Sequence, residues 1–206
     1  MWKWLDSRIL KPGLILSLLL GLVATPLTGV MIKLSLFRLV RDSDLIVQGV
    51  VKEIQSSWSL DKEIILTVAT IEIEEVFNGD SLAGQILVQY PGGTVGSLSL
   101  RVSDMPVLEA EDSVFLFLKR IADPSAGVNS YGVALNVLPA FQVFGQAQGV
   151  YHIDQSGIAS KQGYALAAVR EEPDVSMPVS MLREKIDRIL RFLREDNAKQ
   201  KKRPAQ

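Results

Sequence analysis

Hydrophobic and polar positions along the chain fall into three successive patterns, and each predicts a different kind of element. From Pro12 to Leu39 the sequence is largely apolar: Leu14 to Val23 is unbroken, Lys3, Arg8 and Lys11 precede it, and Lys33 is the first later charge. No polar face interrupts Leu14 to Leu20, which sets this stretch apart from an amphipathic helix of a globular core. A basic flank before a short apolar core predicts an export signal over residues 1–30, carrying the chain to the periplasm or beyond the cell. The core is about ten residues, the length of a cleavable leader and short of the ~20 needed to cross a bilayer. Ala24 and Gly29 offer imperfect cut sites, while the apolar continuation from Gly13 to Ile32 also fits a retained signal anchor. Membrane contact is expected through this segment alone.

From Val40 the pattern changes to short apolar runs broken by Gly, Pro, Asp and Asn, which predicts successive strands over residues 36–158. Leu45 to Ile54 has few polar interruptions, as in a strand covered on both faces, and Gly49 within it predicts a bulge. Ala69, Ile71 and Ile73 alternate with Thr70, Glu72 and Glu74, so this strand is expected to be half exposed. Asn78-Gly79-Asp80 makes a turn, Ile86 to Tyr90 a strand, and Pro91-Gly92-Gly93 a stop. Val114 to Leu118 is wholly apolar and is the expected centre of the core. Further runs at Val133 to Val137, Phe141 to Phe144 and Gly149 to Ile153 bring the total to about seven strands, which argues for a mainly β barrel or small sandwich. Residues 159–178 lose periodicity and read as a connector. A third pattern follows: Leu182, Ile186, Ile189, Leu190 and Leu193 form one stripe of an amphipathic helix over residues 179–196, and residues 197–206 read as a disordered basic tail.

Composition narrows what such a domain does. About 175 residues remain after the leader, enough for one domain with a proper core. A net charge of −1 gives no long-range field to attract nucleic acid or anionic lipid, and nucleic acid is not an expected partner. Cysteine is absent, so disulfides, thiolate metal sites and cysteine nucleophiles are excluded in any compartment. A single histidine, His152, excludes multi-histidine metal sites and chemistry that needs two imidazoles.

A run of specific residues carries a resemblance. Leu39 to Val51 (LVRDSDLIVQGVV), Thr67, Ile71 to Gly79 (IEIEEVFNG), Pro91-Gly92-Gly93 and Val114 to Leu118 together resemble a family of uncharacterised exported bacterial proteins, over roughly residues 36–155. The opening SDLIVQGVV, followed by a strand ending in FNG, also resembles more distantly the OB-like barrel of the netrin and tissue-inhibitor-of-metalloprotease group. The resemblance implies a five-stranded Greek-key barrel with extra strands. It departs at Glu111, where the bacterial family usually has a glycine before the Val114 strand. Tissue inhibitors of metalloproteases chelate the target zinc through an N-terminal cysteine; with no cysteine here, that route to inhibition does not carry over.

The remaining polar features are weak as chemistry. Pro91 to Gly96 lacks the Lys-Ser/Thr ending and following helix of a phosphate loop, and reads as a hairpin or wide loop. His152 and Asp154 stand at i and i+2 on one strand face, a geometry for acid–base work, but no serine nucleophile elbow accompanies them. Glu72, Glu74 and Glu75 read as a solvated face, and Asp42 and Asp44 as loop punctuation rather than calcium ligands. No catalytic residue, metal or cofactor is expected. Trp58, near Asp61 and Lys62, and the loop at Gly92 and Gly93 are the candidate binding residues; Trp58 is either an exposed aromatic at a loop tip or, equally, a core residue. The expected function is a non-enzymatic exported binding module for a protein, peptide or glycan of the cell envelope. The alternatives are an accessory of an exported protease or envelope enzyme, and an enzyme using His152.

Overall fold

The computed structural model describes residues 33–59, 62–80, 84–121, 138–162 and 174–201. All lie in the second of two compact units into which the chain divides, residues 33–206. The leader expected over residues 1–30, Asp61 and the strand expected at Val133 to Val137 fall outside the described residues.

The described residues are mainly β, with ten strands, two helices and a 3₁₀ turn at Gln146–Gly149. A short helix α1 (Leu36–Asp42) opens the domain. Strands β1 (Leu45–Trp58), β2 (Ile65–Asn78) and β3 (Gln85–Pro91) follow as an antiparallel meander. A hairpin of β4 (Gly93–Val95) and β5 (Leu98–Leu100) leads to β6 (Ser113–Arg120) and β7 (Ala140–Val143). β1 pairs with both β2 and β6, and β7 pairs antiparallel with β6 and parallel with β3, so the order β1-β2-β3-β7-β6-β1 closes a five-stranded barrel. Strands β8 (Val150–Ile153), β9 (Ile158–Lys161) and β10 (Ser176–Pro178) extend the sheet from β6, and the long helix α2 (Val179–Lys201) ends it.

Closure depends on bending β1. Its register with β2 shifts at Gln48/Gly49 and again at Val51/Glu53. Such bulges raise local twist and let one long strand turn a barrel corner. Gly49 is needed there because a Cβ would lie 2.3 Å from the Glu72 carbonyl oxygen.

Two apolar layers share the barrel wall. Val47, Val51, Ile71, Val88, Val114, Leu116 and Leu118 point into the lumen. Ile46, Phe115, Phe117 and Tyr151 alternate with them and face outward, under Leu36, Leu39 and Val40 of α1 and Leu182, Ile186 and Leu190 of α2. The unbroken apolar run Val114 to Leu118 thus has a physical cause: β6 is covered on both faces, and all five residues are fully buried.

The structure corrects three expectations. The end of the apolar stretch, Leu36 to Val40, is a domain helix: Ser35 caps it by accepting from the Arg38 amide, and its i, i+3, i+4 stripe is buried. Its approach is fixed by two buried polar groups, since the Leu34 amide donates to Gln148 Oε1 (2.8 Å) and Lys161 Nζ donates to the Leu34 carbonyl (2.6 Å). The connector expected over 159–178 carries β9 and β10 at its ends, strands too short to display a period in sequence. The helix expected to stop at residue 196 continues to Lys201; Ala, Lys and Gln are good helix formers, and Gln200 donates to Asp196 one turn earlier. Glu111 adopts φ 68°, the left-handed conformation that glycine accepts most readily. No helix among the described residues is long and apolar enough to cross a membrane.

Candidate functional site

One end of the barrel is closed by the strap Arg101 to Leu108, between β5 and β6, and two clefts flank it. The strap enters the core at Leu108, which packs with Tyr90 among the lumen residues. Tyr90 is held well protonated: burial pushes its phenol up, opposed by a hydrogen bond from the Leu108 amide. Gln162, just past β9, clasps the strap, accepting from the Val107 amide (3.0 Å) and donating to its carbonyl (2.7 Å). A second tie runs from the Ala147 amide to the Asp104 carbonyl (2.8 Å).

On one side of the strap is a cleft of about 450 Å³ beneath the β4–β5 hairpin, lined by Ser56, Thr67, Gly93, Leu100, Arg101 and Met105 among others. The expected binding residues Gly92 and Gly93 form its wall. Both have positive φ (113° and 122°), and a Cβ on Gly93 would lie 2.3 Å from the hydroxyls of both Ser56 and Thr67. Thr67 donates its single hydroxyl proton to the Gly92 carbonyl (2.6 Å), so Ser56 must donate in the 2.8 Å bond between the two hydroxyls. The pair pins the glycines over the β1–β2 ribbon, and Pro91 to Gly96 is a hairpin stop rather than a phosphate loop.

Across the strap is a second cleft of about 410 Å³, sharing Tyr90, Pro91, Met105 and Pro106 with the first. Its distinctive groups are Gln89, Gln142 and Gln146, with Phe144 and Lys119. The parallel β3–β7 seam sets Gln89 directly beside Gln142. None of the three carboxamides hydrogen-bonds another described residue, so each presents a donor and an acceptor. Lys119 is engaged: its ammonium lies 2.8 Å from Asp44 and 5.9 Å from the Phe144 ring centroid. The cleft therefore offers neutral amide chemistry beside an aromatic ring.

The other sequence-expected residues lie elsewhere. Trp58 is the last residue of β1, opposite Ile65; it is half buried and lines neither cleft. His152 does not pair with Asp154: its Nδ1 lies 3.4 Å from Asp112, while Asp154 closes its own turn by accepting from the Ser156 amide and hydroxyl and the Ile158 amide. Those bonds hold the Asp154 carboxyl below its ordinary range, that of the Ser156 hydroxyl foremost. Glu72 pairs with Lys52, Glu74 accepts from Gln48, and Glu75 pairs with Arg183, three separate partners rather than one cation site. Asp42 and Asp44 are tied to Arg41 and Lys119 respectively. Among the described residues, no three His, Cys, Asp or Glu side chains converge as a metal site.

The strap and the glutamines were missed in sequence. Gln89 and Gln142 lie 53 positions apart, and only the parallel seam brings them together; the one available signal was a polar amide at outward positions of otherwise apolar strands. No protein-family model matches the chain, and no curated protein matches its sequence.

Proposed function

We propose that this chain is an exported, non-enzymatic binding module on an OB-like Greek-key barrel, and that it holds a neutral glycan in the glutamine cleft. The ring order with its single parallel seam supports the OB-like reading, an architecture that presents loops and strand faces to ligands. The basic-flanked apolar leader supports export. The observation that carries the ligand reading is the set of three carboxamides around one cleft beside Phe144 that have no hydrogen-bond partner among the described residues, with the Lys119 ammonium already paired. Amides match hydroxyl and acetamido groups in both donor and acceptor roles, while a ring face covers the apolar face of a sugar. A charged ligand finds no free counter-charge among these groups.

The experiment is a titration of the labelled protein with chitotriose, cellotriose and maltotriose, following the side-chain amide NMR signals of Gln89, Gln142 and Gln146. One of these neutral sugars is expected to shift all three signals, and Gln142→Ala with Gln146→Ala is expected to weaken that binding at least tenfold, about 1.4 kcal/mol. Silence of all three signals across the panel overturns the glycan reading.

A further inference from the structure

The outer faces of α1 and α2 carry an aromatic patch that packing within the domain does not explain. Phe192 of α2 is 57 % exposed and Phe37 of α1 is 36 % exposed, yet their rings meet edge to face at 6.2 Å. Met181, 48 % exposed, lies on the same line of α2 three turns earlier. The inward stripe of α2 is already buried on the barrel, so these residues form a second apolar face, directed at solvent.

Charge is segregated in the same sense. Residues 43–178 hold 7 basic and 17 acidic residues, a net charge of −10. Residues 33–42 hold 3 basic and 1 acidic, and residues 179–201 hold 7 basic and 4 acidic, a combined net charge of +5. Around the patch, Arg41 stands 5.9 Å from the Phe37 ring centroid, Arg188 is paired with Glu184, and Arg191 and Arg194 make no ion pair with another described residue. The net charge of −1 hides this division.

We infer that the α1–α2 face seats on an anionic phospholipid surface, with Phe37, Phe192 and Met181 entering the headgroup boundary and the arginines meeting lipid phosphates. Aromatic and thioether side chains flanked by arginine match that boundary in polarity and in charge. The acidic barrel opposes any other orientation on such a surface, because it is repelled by the charge that attracts the helices. The helices cover the outer faces of β1, β6, β8 and β9, whereas the glutamine cleft lies at the β3–β7 seam, across the ring from β1. Seating on the helices thus turns the Gln89–Gln142 side of the cleft away from the lipid, while Phe144 joins the cleft's other edge to the layer beneath the helices. The chain enters the domain at Lys33, directly after its long apolar segment, so this contact extends the expected membrane contact from that segment to the folded domain.

Because the chain has no cysteine, a single introduced thiol reports one place only. Full-length Met181→Cys, carrying a nitroxide label, is mixed with phosphatidylcholine–phosphatidylglycerol vesicles and with phosphatidylcholine vesicles; Leu98→Cys, on the exposed β5 hairpin, is the reference. The Met181 label is expected to become accessible to oxygen and shielded from an aqueous nickel complex on the mixed vesicles alone, while the Leu98 label stays aqueous. Arg191→Gln and Arg194→Gln are each expected to lower the ratio of shielded to aqueous label about fivefold, and raised salt to lower it further. Phe37→Ser with Phe192→Ser is expected to abolish shielding while leaving the circular dichroism spectrum intact. Equal aqueous exposure of the two labels on mixed vesicles overturns the inference, as does a Met181 label shielded only when envelope proteins are added. Neither result bears on the glycan reading, which the cleft signals report.

Discussion

The lumen of the barrel and the layer beneath the helices are made by opposite faces of the same strands, yet they select different side chains. Valine, leucine and isoleucine dominate the lumen, joined by Phe141 and Tyr90. The layer outside is built on Phe115, Phe117 and Tyr151, with Phe77 and Phe144 packed against it. A five-stranded ring encloses a narrow space of fixed width, which suits compact branched side chains. Helices can settle at whatever distance large rings dictate, and the rings interlock: Phe77 and Phe115 at 5.1 Å, Phe117 and Tyr151 at 6.1 Å. The difference teaches that this barrel is closed by shape from within and clad by aromatic packing from without, and that the two candidate surfaces divide along the same line. The clefts sit where the strap plugs the lumen, and the aromatic–arginine patch sits on the cladding.

Neighbouring residues of β6 test this division most strongly. Phe115→Ala and Leu116→Ala remove fully buried side chains from the outer layer and the lumen respectively. Each is expected to cost about 3–5 kcal/mol by urea denaturation. Amide exchange separates them: Phe115→Ala should release α1 and α2 before the barrel strands, and Leu116→Ala should lower protection throughout. Identical exchange patterns would show one indivisible core and end the comparison.

A smaller effect is expected at the strap end. Gly93→Ala places a side chain at φ 122° and against the Ser56 and Thr67 hydroxyls, costing about 1–3 kcal/mol. Because the hairpin must shift, amide shifts should concentrate at Ser56, Thr67 and Leu98 to Leu100 and leave α2 unmoved. Shifts spread equally into the helices would show that the cleft wall and the cladding are coupled.

Much of the barrel was legible because its causes are local. Alternation at Ala69, Ile71 and Ile73, the bulge glycine Gly49 and the run Val114 to Leu118 each state which faces are buried before any partner is known. The α1 helix was hidden for the opposite reason: Leu36, Leu39 and Val40 continue an apolar stretch whose leader-like start dominates the reading. Gly92 and Gly93, where glycine punctuation marks a turn, line the cleft beneath the hairpin and not the glutamine cleft. Its glutamines come together through a parallel seam, a long-range pairing that composition and period do not encode. Trp58 was conspicuous by type alone, and type did not decide its burial.

The smallest expected effect concerns acid, and it links the barrel rim to the glutamine cleft. Asp44 joins the start of β1 to the end of β6, accepting from Lys119 Nζ (2.8 Å) and from the Arg120 amide (3.0 Å). The Lys119 hydrogen bond, opposed by some desolvation and aided by the Arg120 amide, holds the Asp44 carboxyl below its ordinary value of 3.8. A carboxyl whose pKa is lower folded than unfolded binds fewer protons in the folded state. The stability it contributes is therefore complete above 3.8 and is lost as the pH falls through the lower folded value. Asp44→Asn should flatten this acid limb of the urea-midpoint curve and leave the plateau near neutrality only slightly lower, since the pair is well exposed to solvent. Protonating Asp44 also frees the Lys119 ammonium in the cleft, and the proposed binding of a neutral sugar at the glutamines should change less across the acid limb than stability does. A sugar affinity that collapses in step with the Asp44 titration would instead make the Asp44–Lys119 pair part of the binding site.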